Sequence, residues 1–102
     1  MVVLQTLILA AVLHGSVTIG PVTPVCRVGV PCTRPAVAVV LTFTRGARVF
    51  TAKTGAGGRY AVTLAPGVYS VRASAGMRIA PARVTVRPGS HLRSFSIDTG
   101  IR

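Results

Sequence analysis

The stretch RYAVTLAPGVYSVRA, residues 59–73, holds two alternating segments hinged on Ala65-Pro66-Gly67. In the first, Tyr60, Val62 and Leu64 fall on one side, and in the second Tyr69, Val71 and Ala73 do so. Strict apolar alternation with a period of two is the pattern of a half-buried strand, and Pro-Gly supplies the turn between two of them. The stretch therefore predicts two strands facing a common core.

The same pattern extends in both directions. From His14 onward no helical periodicity lasts longer than a turn, and segments rich in Val, Thr, Tyr and Phe recur between Gly and Pro clusters. They predict an all-β, seven-stranded Greek-key sandwich with strands at about 14–20, 37–44, 47–53, 59–64, 68–74, 82–87 and 93–98. Val39, Leu41, Phe43, Val84, Val86, Phe95 and Ile97 join the inward set. Arg59, Thr63, Arg72, Arg83, Thr85 and Arg87 fall on the opposite faces. In ARVFTAK, 47–53, the neighbours Val49 and Phe50 must face opposite ways unless a bulge intervenes. TRGAR at 44–48 and RPGS at 87–90 look like hairpin turns, and GMRIAP at 76–81 is the least regular connection.

Length bounds the rest. A chain of 102 residues has room for one domain, which buries roughly 60–70% of the surface its unfolded form exposes. Twelve Lys and Arg stand against one acid, Asp98, for a formal charge of +11. Such an excess attracts polyanions, and it equally serves solubility without any specific partner. The absence of Glu leaves Asp98 alone, so a mechanism that pairs two side-chain carboxylates is excluded within one chain. The absence of Asn excludes N-linked glycosylation.

Residues 2–13, VVLQTLILAAVL, form an apolar run of the length of an export-signal core and shorter than the ~20 residues of a membrane span. The alternative is an N-terminal strand or helix packed on the domain. The expected organisation is an export-like segment over 1–13 and a β-sandwich over 14–102. Cys26 and Cys32, in PVCRVGVPC, lack the two-residue spacing of redox and zinc motifs. A local disulfide closing the loop 26–32 is the simplest reading and implies an oxidising compartment; two reduced thiols in a cytosolic loop are the alternative.

The spacing LAPGVY at 64–69 resembles the Leu-x-Pro-Gly-x-Tyr signature of secreted β-sandwich modules of the carboxypeptidase-regulatory-like type, related to the transthyretin (prealbumin) fold and to Cna-B-type surface domains. TGAGGRY at 54–60 is similar to the Thr-Asp-x-x-Gly-x-Tyr/Phe segment of such modules, and GPVTPVCRVGVPCTRP to the opening loop of bacterial members. RVTVRPG and FSIDTGIR resemble their closing strand pair. The resemblance implies that Leu64, Pro66 and Gly67 shape the turn and that Tyr69 buries its ring and returns its hydroxyl to the backbone, as in a tyrosine corner. Its short motifs specify an architecture far better than an activity. The sequence as a whole leads to the expectation of a non-catalytic, exported module with a structural or accessory role at the cell envelope, with an Arg-rich binding module for an anionic polymer or membrane surface as the alternative.

Departures narrow what carries over. Gly55 stands where the pattern has Asp. Lys53 and Asp98, the only Lys and the only acid, cannot fill the three roles of a Cna-B-type isopeptide cross-link. The terminal Tyr-Arg-Gly-Ser of 5-hydroxyisourate hydrolase has no match in DTGIR.

Candidate chemistry is correspondingly sparse. His14, His91, Asp98 and the serines come with no nucleophile-elbow or oxyanion-loop sequence, and two separated histidines with one acid make a poor metal site. No catalytic residue, metal or cofactor is expected. The candidate binding surface is an anion-binding face carrying Arg59, Arg72, Arg83 and Arg87, for an anionic polymer or a membrane surface. Nucleic acid is disfavoured, because Phe43, Tyr60, Tyr69 and Phe95 are in phase with the core rather than free to stack on bases. The cysteine loop and GMRIAP are the candidate binding loops, and nothing selects a specific protein partner.

Overall fold

The computed structural model describes residues 10–101. Its strands run in chain order β1 (Ala11–Gly20), β2 (Arg34–Pro35), β3 (Val40–Arg45), β4 (Arg48–Lys53), β5 (Arg59–Leu64), β6 (Gly67–Ala73), β7 (Arg78–Ala80), β8 (Arg83–Val86), β9 (Gly89–Leu92) and β10 (Phe95–Asp98), with a single 3-10 turn at Ala56–Gly58. Two sheets form a sandwich-like arrangement. In the four-stranded sheet the order is β4-β3-β6-β8, antiparallel throughout. The six-stranded sheet is built around β1, which pairs antiparallel with β5 and β2 and parallel with β9 and β10; β7 lies beyond β10.

The alternation seen in the sequence sets the inner faces. Leu41, Phe43, Tyr69, Val71, Val84 and Val86 from one sheet meet Leu13, Val17, Tyr60, Leu64, Phe95 and Ile97 from the other, all buried. Aromatic rings fill the middle, with Phe43 6.3 Å from Tyr60 and 6.1 Å from Phe95, and Tyr60 5.6 Å from Phe95. These separations are in the range of favourable offset and edge-on ring pairs. The doubtful strand β4 carries no bulge: its register to β3 is continuous from Val40↔Lys53 to Arg45↔Arg48. Val49 faces outward and Phe50 inward, edge-on to Tyr69 at 5.9 Å. The hairpin at Arg45–Arg48 forms as expected, with φ +58° at Gly46, the first of its two loop positions.

The strand count is ten among the described residues, where the sequence predicts seven. The additions β2, β7 and β9 are two to four residues long, too short to display a period of their own. RPGS is not a hairpin: β8 belongs to one sheet, and Gly89 opens β9 in the other. For the same reason β8 and β10 are not a strand pair, since they stand in different sheets.

The N-terminal strand begins at Ala11, so the division between 13 and 14 falls inside β1, where Ala11 and Leu13 are buried core residues. Residues 2–9 of the apolar run lie outside the described residues.

Candidate functional site

Tyr69 is fully buried in β6, and its hydroxyl donates to the carbonyl of Ala65 at 2.6 Å, across the turn that the sequence marks. β5 lies in one sheet and β6 in the other, so Ala65-Pro66 is where the chain crosses the sandwich. Leu64 is buried at the end of β5, and Gly67 begins β6 opposite Val86. The Arg45 guanidinium sits where a Gly67 side chain would stand, and its Nη1 donates to the carbonyl of Pro66 at 2.7 Å. Tyr69 thus returns its hydroxyl to the backbone at this crossing, and Arg45 bonds the same segment from outside.

Two further polar anchors escape sequence reasoning. Tyr60 pairs with Gly15 across the β5–β1 ladder, and its hydroxyl donates at 2.6 Å to the carbonyl of Arg93 on the far side of β1. Gly15 is required there, because a Cβ would overlap the Arg93 carbonyl. Burial pushes the Tyr60 phenol above its ordinary value, and the positive charge of Arg93 offsets part of that rise. Thr54, buried after β4, accepts the Val39 N–H on its hydroxyl at 2.9 Å, while its own N–H and C=O bond Val39 and Ala38. That clamp fixes the approach to β3, where Ala38 takes φ +58°. Among the described residues no buried side-chain polar atom lacks a partner.

Cys26 and Cys32 form a disulfide, with Cα atoms 5.4 Å apart. The loop they close is exposed, and its base is held by the Val22 N–H to Cys32 C=O bond at 2.8 Å. GMRIAP, the other candidate loop, supplies β7 and lines a shallow depression with Val71, Arg72 and Ala82.

The four arginines do not converge. Arg72 and Arg83 lie on the outer face of the four-stranded sheet; Arg83 pairs with Ser70 on β6, two residues from Arg72, so the two are diagonal neighbours. Arg59 is exposed on the other sheet, opposite Ser16, and Arg87 follows β8 on the open flank toward His91 and Arg93. The outer face of the four-stranded sheet also gains Lys53, opposite Val40, together with Thr42 paired to Thr51 and to Arg72. This face holds three cations and no carboxylate. Lys53 was the member that sequence reasoning left out, although its parity with the outward positions of β4 marks it.

The histidines remain apart from any cluster. His91 is exposed with Nε2 3.0 Å from the Pro88 carbonyl, and His14 is half-buried in β1 opposite Ala61 and Leu92. Asp98 accepts the Gly100 N–H at 2.8 Å. Among the described residues there is no group of three His, Cys, Asp or Glu side chains able to hold a metal ion, and no helix long and apolar enough to cross a membrane. Compared with models of known families, with curated proteins and with solved structures, the chain gives no match.

Proposed function

We propose that the chain is a non-catalytic, exported module with a structural or accessory role at the cell envelope. In this reading it is a Greek-key, prealbumin-like sandwich of the carboxypeptidase-regulatory-like type, elaborated by short added strands. The observation that carries the reading is the Cys26–Cys32 disulfide in an exposed loop, since such bonds persist in oxidising compartments and are rare in the cytosol. The hydroxyl of Tyr69 on the Ala65 carbonyl, at a crossing between sheets, supports the choice of family type. A fusion of the full chain to alkaline phosphatase, which folds only where disulfides form, tests export in a bacterial host. Activity without an added leader supports the proposal, and an inactive, intact fusion contradicts it.

A second reading, favoured by the acid-free outer face of the four-stranded sheet, makes the module a binder of anionic polymer or membrane surface through Arg72, Arg83 and Lys53. Binding to acidic wall polymer, anionic vesicles and DNA across a salt series tests it. Retention of one ligand class near about 150 mM salt supports a specific surface. Loss of all three with a common steep slope reduces the charge to nonspecific attraction.

A further inference from the structure

The disulfide-closed loop is unusual for what it presents. Val28 is fully exposed (104%), Val25 is 69% exposed and Val30 59%. The Val30 N–H bonds the Arg27 carbonyl at 3.1 Å and Gly29 takes φ +80°, so Arg27–Val30 is a tight turn with Val28 at its corner. The Cys26–Cys32 bond brackets that turn. Before it, the Thr23 hydroxyl bonds the Val25 carbonyl at 2.7 Å. Val28 and Val30 are thus exposed within the covalently closed segment, and Val25 is exposed just before its first cysteine. Arg27 stands beside Val28, Arg34 follows the loop, and both are exposed.

From these observations we infer that the stapled tip, Val25, Val28 and Val30 with Arg27 and Arg34, is a docking element that inserts into the headgroup region of an anionic lipid bilayer. The charge balance favours this occupant: the loop from 21 to 35 has two arginines and no acid, so it meets an anionic surface without repulsion. The residue types favour it too. Protein partners are gripped by aromatic and arginine side chains seated in pockets, with valine under-represented among the strong contacts. A set of small exposed apolar groups accompanied by cations has the division of a bilayer interface, with apolar groups in the acyl boundary and positive charge at the phosphates.

The inference deepens the second reading above and rests on it only for the anionic partner. Its contact element is different, and the test separates the two. Because the chain contains no Trp, Val28→Trp places a single indole at the tip, and Val68→Trp places one on the outer face of the four-stranded sheet, 49% exposed in the native chain. Both full-length variants are titrated with vesicles of equal parts phosphatidylglycerol and phosphatidylcholine, with and without brominated acyl chains, at about 150 mM salt. The expected result is a blue shift and bromine quenching at position 28 and neither at position 68. Tryptophan itself favours the interface, so Val28→Asp is measured in the native chain, where vesicle partitioning should fall about tenfold. Replacing Arg27 or Arg34 by Gln should each lower it about fivefold. Equal quenching at both positions, quenching at neither, or unchanged partitioning of Val28→Asp overturns the inference. Vesicle binding that persists while the indole at position 28 stays in water would leave the sheet-face reading standing and remove the tip from it.

Discussion

Replacing Tyr69 by Phe removes one oxygen from the interior and nothing else. The ring has no exposed surface, so its packing on Phe50 and the neighbouring core is retained. What is lost is the 2.6 Å bond to the Ala65 carbonyl. A typical hydrogen bond contributes about 0.5–1.5 kcal/mol net, and stranding a buried partner costs about 1–3 kcal/mol. Ala65 is half-buried, so water can reach its carbonyl once the hydroxyl is gone, which places the cost in the lower part of that range, about 1–1.5 kcal/mol. For a domain of this size that corresponds to a fall in Tm of roughly 4–12 °C. Urea unfolding followed by circular dichroism should show a lower midpoint at an unchanged slope, because the surface exposed on unfolding is unaltered. An unchanged midpoint would refute the view that the phenol anchors the crossing between sheets.

Tyr60 carries a pH signature. Its folded-state pKa is raised, so its contribution is complete below the ordinary phenol value of about 10 and is lost as pH climbs from there toward the folded value. Unfolding free energy should therefore decline above about pH 10 in the native chain and decline less steeply in Tyr60→Phe, by equilibrium denaturation at stepped pH. Gly15→Ala drives a methyl into the Arg93 carbonyl and should cost about 1–3 kcal/mol by the same assay. Thr54→Val leaves the N–H of buried Val39 without its acceptor, at a cost of about 1–3 kcal/mol, and should raise amide exchange around Val39.

The inward faces were legible because a period of two needs no knowledge of partners. Leu41 and Phe43, Tyr60 and Leu64, and Val84 and Val86 all point where their alternation places them. The return of the Tyr69 hydroxyl to the backbone was legible because donor and acceptor are four residues apart. Pairing over long distances was not. The parallel ladders of β1 with β9 and β10 join residues at opposite ends of the chain, and GSHL in β9 is exposed throughout, so no alternation announces it. The Tyr60–Arg93 bond depends on that pairing and was hidden with it. Arg59, Arg72, Arg83 and Arg87 share an outward parity, but parity fixes a side of a strand and not which sheet holds the strand. Hence two of the four became neighbours and the others did not.

The central claim is that this sandwich works outside the cytosol as an oxidised, surface-acting module. Full-length protein from producing cells, alkylated before lysis and separated into cytosolic and envelope fractions, should be mapped by mass spectrometry without reduction. The account predicts recovery in the envelope fraction with the peptides of Cys26 and Cys32 joined. Recovery in the cytosol with both thiols alkylated would contradict it.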